Sequence, residues 1–133
     1  MTEQTLIVLK PDSVKRNLIE EILRRFEQNG FTIKKLKMLT MSKEEAHTFY
    51  VVHKEKLFFN ELVSFITSGP IVAVIIEGSD AVNQVRKIIG ATKPSEAAPG
   101  TVRKDFGTSI TQNAIHASDS HESFIKESTV IFG

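Results

Sequence analysis

Residues 71–76 read I-V-A-V-I-I, an unbroken apolar run in which every side chain but one is β-branched. Such a run lacks the period-two alternation of a strand with one wet face, and β-branched residues favour extended backbone. It predicts a strand buried on both faces. Residues 5–9, T-L-I-V-L, predict a second buried strand at the centre of the same sheet. A chain with two such strands must build its core around a sheet. The run at 71–76 is the longest apolar one and far shorter than the roughly 20 residues a membrane helix needs.

Around these strands the pattern switches to helical spacing. Lys10-Pro11-Asp12 follows the first strand, and Pro11 disfavours helical backbone at Lys10, so Lys10 is expected extended at the strand end. Asn17 is the expected N-cap of the first helix, with Glu20 at its third position. Leu18, Ile19, Ile22, Leu23 and Phe26 form its stripe, and Gly30 is its stop. Residues 31–40 predict a strand in which Phe31 and Ile33 share one face and Leu36 and Met38 the other phase, which implies a bulge or a bend. Ser42-Lys43-Glu44-Glu45 is a capping box opening a helix with Ala46, Phe49 and Tyr50 on one side. After a charged break at 53–57, residues 58–67 carry Phe59, Leu62, Val63 and Ile66 at helical spacing, stopped by Ser68-Gly69-Pro70. Beyond the third strand, Gly78-Ser79 turns into a helix with Ala81, Val82, Val85, Ile88 and Ile89 inward, closed by Gly90. Residues 91–112 read as a functional loop or one that hides a short helix. Residues 113–116 predict the fourth strand. A last helix over 120–128, capped by Asp119 or Ser120, is followed by an apolar tail at 129–133.

The resulting order is β-α-β-(α-α)-β-α-β-α. Setting the inserted helix pair aside leaves β-α-β-β-α-β, which predicts an α+β, ferredoxin-like α/β sandwich: a four-stranded antiparallel sheet with helices on one face. The 133 residues suffice for one core, so a single domain over 1–133 is expected.

Charge and cysteine content narrow the function. The formal net charge is +1 with no long basic run, so a broad grip on nucleic acid is not expected, while a small anion remains compatible. There are no cysteines, which excludes disulfides, thiolate chemistry and Cys-based zinc sites. Met1-Thr2-Glu3-Gln4 lacks the basic flank and apolar core of a signal peptide. A cytoplasmic location without a membrane partner is the expectation.

The most suggestive segment for chemistry is 113–120, N-A-I-H-A-S-D-S, which sets His116 among small and hydrogen-bonding residues where a strand gives way to a helix. Lys10, Arg86 and Arg103 fall at strand ends, beside a helix stripe and in the long loop. Three permanent cations and an imidazole make a receptor for a polyphosphate, Arg presenting a planar fork and Lys a mobile point charge. Most of the 17 Lys and Arg belong to the solvated surface. Arg86 stands apart because it follows Val85 beside the apolar stripe, and Arg103 because it follows Pro99-Gly100-Thr101-Val102. Thr92, just past Gly90, is placed for its hydroxyl to reach a phosphate. Neither G-x-x-x-x-G-K-[ST] nor G-x-G-x-x-G occurs, so side chains and not a glycine cradle would do the binding.

With these segments in view, the chain resembles the nucleoside diphosphate kinase family along essentially its whole length. The resemblance rests on N-A-I-H-A-S-D-S at 113–120, L-K-P-D at 9–12, S-G-P at 68–70 and P-G-T-V-R-x-D-F at 99–106. It implies the same ferredoxin-like fold. It also implies transfer of the γ-phosphate of a nucleoside triphosphate, mainly ATP, to nucleoside diphosphates, with a ping-pong mechanism that maintains the pools of the other triphosphates. By position it assigns His116 as the nucleophile, phosphorylated on Nδ1. Lys10, Arg86, Arg103 and Thr92 would hold phosphates, Asn113 the sugar, and Phe58 the base by stacking, with Leu62 and Ile110 as further nucleotide contacts. Tyr50 would help position the γ-phosphate, and Glu127, with Ser118 beside it, would accept a hydrogen bond from the other ring nitrogen. Phe58, Tyr50 and Leu62 read equally well as core residues.

The resemblance further implies Mg²⁺ arriving on the nucleotide, with no metal held directly and Asp119 reaching it through water. Partners would be nucleoside triphosphates and diphosphates and further copies of the chain, as a homotetramer or homohexamer, the 94–100 loop taking part. Two departures stand out: Ala117 occupies a position where many relatives have glycine, and the chain stops at Gly133, before the C-terminal extension of longer members. The residues alone leave two other readings, a nucleic-acid-binding module on a ferredoxin-like sheet and a phosphocarrier modified on His116 by a partner kinase. The first lacks the aromatic pattern of RNA-binding sheets. The second leaves Phe58, Arg86 and Arg103 without a task.

Overall fold

The computed structural model of the chain describes residues 2–51, 54–109 and 111–133. Four strands, β1 (Thr2–Leu9), β2 (Thr32–Leu39), β3 (Ile71–Ser79) and β4 (Ile115–Ala117), form one sheet in the order β2-β3-β1-β4. Every pairing is antiparallel, and the two strands singled out for their apolar runs, β1 and β3, are the central pair. Leu6 faces Ile75 and Val8 faces Ala73 across that pair, while on the other edge Val8 faces His116. The bulge expected in β2 lies between Ile33 and Lys35. Its result is an edge strand with Leu36 and Met38 exposed.

Helices cover both faces of the sheet, which corrects the expectation of a single covered face. Alternation along β1 divides its side chains between two cores. Ile7 and Leu9, with Val72, Val74 and Ile76, meet Ile22 and Phe26 of α2 (Ile19–Gln28) and Val85 and Ile89 of α5 (Ala81–Ile89). Leu6 and Val8, with Ile71, Ala73 and Ile75, meet three other helices: α3 (Lys43–Phe49), α4 (Phe59–Ile66) and α7 (His121–Phe132). The inserted pair α3–α4 and the last helix thus supply the second cover that the uniformly apolar strands require. Each fully buried Leu or Ile contributes about 1.5–3 kcal/mol relative to exposure.

Several local details depart from the sequence pattern. A short helix α1 (Pro11–Lys15) follows β1 directly, with Pro11 at its first turn, where a missing N–H costs nothing. Asn17 does not cap α2; it takes a left-handed conformation at φ 58°, and Leu18 is the N-cap. Asn tolerates that region better than most residues. The long loop hides a 3₁₀ turn (Pro94–Glu96) and the short helix α6 (Val102–Phe106). The last helix runs on to Phe132, and the supposed tail packs Ile131 into the second core. Ser120 is its N-cap, accepting from the Ser123 N–H, and the capping box of Ser42 and Glu45 on α3 is complete. His53, in the expected charged break, lies outside the described residues.

Candidate active site

The end of β1 carries Lys10 in extended backbone, at φ −74° and ψ 167°, as Pro11 requires. Beside it, β4 presents His116 on the same side of the sheet as Val8, facing α3 and α7. Lys10 Nζ donates to Asn113 Oδ1 at 2.9 Å and to the Thr111 carbonyl at 3.2 Å. Asn113 Nδ2 donates in turn to the Thr92 carbonyl at 2.9 Å. Strand end, histidine segment and long loop are thereby tied into one wall. Burial, reinforced by the charge of Arg103, lowers the Lys10 pKa to about 7, with Asp12 partly opposing the shift.

His116 Nε2 lies 2.8 Å from Glu127 Oε1, and the Ser118 hydroxyl donates to the same oxygen at 2.8 Å. The imidazole stands edge-on to Phe49 at 5.0 Å and to Tyr50 at 6.1 Å between ring centroids. The carboxylate sets the ring's orientation and the aromatic rings restrict its rotation. With Nε2 turned to Glu127, Nδ1 is the nitrogen not committed to the carboxylate.

Arg103 sits on α6, just after the Thr101 cap, and is 5% exposed. Its Nη1 donates to the Gly90 carbonyl at 3.1 Å and its Nη2 to the Ile115 carbonyl at 2.9 Å, so the guanidinium braces the end of α5 against β4. Its Nε is buried with no partner among the described residues. Burial and the neighbouring Arg86 lower its pKa to about 10. Gly90, at φ 87°, is required where it stands: a Cβ there would lie 2.5 Å from Thr101 Oγ1.

One pocket gathers Lys10, Tyr50, Phe58, Leu62, Arg86, Thr92, Arg103, Asn113, His116, Asp119 and Glu127, all residues expected from the sequence. Ser118 is fully buried behind Glu127. Ile110 lies outside the described residues. Tyr50 and Leu62 are both core and wall, 3% and 7% exposed. Burial, and secondarily the charge of Glu127, raise the Tyr50 pKa. Phe58 is half-buried against the second core with one side on the pocket. Arg86, Thr92 and Asp119 are exposed at the rim. The Ser123 hydroxyl donates to Asp119 Oδ1 at 2.6 Å and holds that carboxyl below its usual range.

Sequence reading missed Lys56 and Ser123, which line the same pocket. Lys56 Nζ lies 5.6 Å from the centre of the Phe58 ring. The one available signal was position: Lys56 is the last charge of the 53–57 break before α4, and Ser123 lies four residues past Asp119, a single helical turn. Also missed was the backbone just before β4. The Ile115 N–H bonds to the Asn113 carbonyl at 2.9 Å across Ala114, whose φ is 76°. That is the strained form of the γ-turn, and such conformations cost on the order of 1–3 kcal/mol outside glycine.

The family model described as nucleoside diphosphate kinase matches residues 3–133. The nucleoside diphosphate kinase of Staphylothermus marinus is 53% identical over 131 residues, covering 98% of this chain and 93% of that protein. A crystal form of the Aquifex aeolicus nucleoside diphosphate kinase superposes with a TM-score of 0.97 at 50% identity, over 100% of this chain and 96% of that one. The Halobacterium salinarum nucleoside diphosphate kinase, solved in complex with CDP, gives a TM-score of 0.95 at 42% identity, over 99% and 88%.

Proposed function

The chain belongs to the nucleoside diphosphate kinase family, and on that footing we propose that His116 is the atom-bearing relay of its reaction. The enzyme is a phosphotransferase that moves the terminal phosphate of a nucleoside triphosphate to a nucleoside diphosphate. In the proposed first half-reaction, the His116 Nδ1 lone pair attacks the γ-phosphorus of the donor, taken to be ATP. An N–P bond forms, the bond from the γ-phosphorus to the bridging oxygen breaks, and the diphosphate leaves. In the second, a terminal oxygen of the acceptor diphosphate attacks the same phosphorus and the N–P bond breaks. The ring proton stays on Nε2, facing Glu127, throughout. Donor and acceptor bonds are chemically equivalent, so the equilibrium lies near unity.

The observation that supports this reading is the 2.8 Å contact between His116 Nε2 and Glu127, which leaves Nδ1 uncommitted to the carboxylate on a residue lining a pocket with Lys10, Arg86 and Arg103. Lys10, Arg86 and Arg103 would stabilise charge on the transferring group, with Lys56 a fourth cation at the mouth. Thr92 would bond the phosphates and Asn113 the sugar, with Tyr50 beside the γ-phosphate. Phe58, with Leu62 and Ile110, would take the base, and stacking on a ring tolerates any base.

Family membership implies a divalent cation, for which we propose Mg²⁺ carried on the nucleotide. The donor set fits that mode: among the described residues no group of three His, Cys, Asp or Glu could hold a metal. Of the pocket carboxylates, Glu127 is committed to His116 and Ser118, which leaves Asp119 as the one to approach the cation through water. When bound, the cation neutralises phosphate charge. We further read residues 1–133 as one domain that works in the cytoplasm as a homotetramer or homohexamer. No described helix is long and apolar enough to cross a membrane. The exposed Leu36 and Met38 on edge strand β2 are consistent with self-association.

Incubation with γ-labelled ATP alone tests the reading. The expected product is protein-bound label that is acid-labile and alkali-stable and that chases onto any added nucleoside diphosphate. His116→Ala is expected to reduce labelling to background while nucleotide still binds. Labelling that persists in that variant would remove His116 from the proposed role.

A further inference from the structure

Of the L-K-P-D segment at 9–12, the proposed chemistry uses only Lys10. The next two polar residues, Asp12 and Ser13, are 8% and 0% exposed and do not line the pocket. Both reach over to Ala114, the strained residue. Asp12 Oδ2 accepts from the Ala114 N–H at 3.1 Å, and the Ser13 hydroxyl donates to the Ala114 carbonyl at 2.7 Å. The Lys10 backbone N–H donates to that same carbonyl at 3.0 Å. The first turn of α1 therefore binds both backbone groups of a residue about a hundred positions away, at the one place in the histidine segment where φ is positive.

The bend has a consequence for the site. In a regular strand, residues three apart point to opposite faces. Asn113 and His116 are three apart, yet both line the pocket, while Ala114 and Ile115 between them join the first core. The γ-turn at Ala114 breaks the alternation and turns Asn113 to the side of His116, within reach of Lys10 Nζ. Strain of this kind persists only where the surroundings hold it. Asp12 and Ser13 supply that hold from a helix anchored at the end of the central strand.

We propose that Asp12 and Ser13 are positioning residues for phosphoryl transfer: they strap the strained turn at Ala114 and so fix His116 and Asn113 on the same side of the sheet. Asp12 touches no reacting group in this role and acts through the backbone of the histidine segment. The proposal rests on the reading of His116 as the phosphoryl acceptor.

The test is the single-turnover rate of labelling by γ-labelled ATP, measured beside ADP affinity and the thermal midpoint of each variant. Asp12→Ala and Ser13→Ala are expected to slow labelling by about tenfold or more, since a displacement of about 1 Å at a reacting group can cost a hundredfold. ADP affinity is expected to change less than the rate, because Phe58, Arg86 and Thr92 keep their places and only the Asn113 contact moves with the turn. Asp12→Asn keeps an acceptor for the Ala114 N–H and is expected to retain most of the rate. Ala114→Gly makes the positive φ accessible without a strap, so Asp12→Ala/Ala114→Gly is expected to recover part of the lost rate. If the wild-type chain labels but the folded Ser13→Ala and Asp12→Ala variants label at the wild-type rate, the strap is overturned and His116 stands. Equal failure of Asp12→Asn and Asp12→Ala, with no recovery on adding Ala114→Gly, also overturns it, assigning Asp12 a merely structural or charge role. If the wild-type chain takes no label, it is the reading of His116 that fails.

Discussion

The floor and the rim of the pocket are built on different principles. On the floor, Lys10, Asn113, Arg103 and Glu127 are each nine-tenths or more buried, and each has hydrogen bonds at 2.8–3.2 Å that fix its direction. On the rim, Arg86, Thr92, Lys56 and Asp119 are exposed, and Phe58 is partly buried. A bond-making centre needs groups held to a fraction of an ångström before the substrate arrives, and buried hydrogen bonds provide that. A surface that receives bases of several shapes gains from contacts that are apolar or mobile. On the proposed reading, the division would place precision where charge develops and tolerance where the base varies.

Substitutions can break or sharpen this contrast. The largest effect is expected on the floor. Glu127→Gln keeps the size of the side chain but weakens the hold on Nε2, and outer partners of this kind are worth about 10- to 100-fold in activity. Steady-state kcat is the measurement, with KM expected to move little; a large rise in KM with unchanged kcat would place Glu127 on the rim instead.

Next comes the Lys10 proton. Its folded pKa is about 7 against 10.5 for the exposed group. Between those values the unfolded chain binds a proton that the folded chain lacks, so the nucleotide-free protein should gain stability as pH rises above about 7. Nucleotide affinity should fall over the same window, by up to about tenfold per pH unit, because phosphate needs the ammonium form. Denaturation midpoints and ADP titrations from pH 6 to 9 check the two opposed trends, and both should flatten in Lys10→Met.

On the rim the effects shrink. Phe58→Ala should raise KM for every nucleotide by a similar factor, about fivefold, the low end of stacking energies of about 1–3 kcal/mol. A loss confined to one base would show that the ring selects and does not merely stack. At Leu57, which is fully exposed beside the pocket mouth, Leu57→Ser should leave stability within about 0.5 kcal/mol and turnover unchanged. A clear change in either would extend the working rim outward.

Legibility in the sequence followed locality. The β-branched runs, the capping box of α3 and the stripes of α2 and α5 were readable because their periods are local. The cover on the second face was implied by those same runs, since strands apolar on both sides cannot leave one side wet, but setting the α3–α4 pair aside hid it. Helix α1 escaped notice, and the short helix expected somewhere in 91–112 could not be placed, because five residues hold too little period to stand out. Most of the pocket's residues could be named from the resemblance of short segments. Lys56, Ser123 and Ser13 belong to no such segment, Asp12 lies in one without a task assigned there, and only their neighbours in space give them meaning.

From its sequence alone this chain determined the order of its elements, which strands would be central, and which residue types were available for phosphate chemistry, because backbone preference and side-chain period act over a few residues. The tertiary structure alone decided which nitrogen of His116 meets Glu127, that Arg103 braces two carbonyls, and that a strained turn at Ala114 is held by Asp12 and Ser13. Those bonds join segments brought together by the antiparallel register of β1 with β4 and by the packing of α7 and α6 against them. A hydrogen bond depends on distances and angles in space, and no run of neighbouring residues encodes those between separate elements, whether 11 or 102 positions apart.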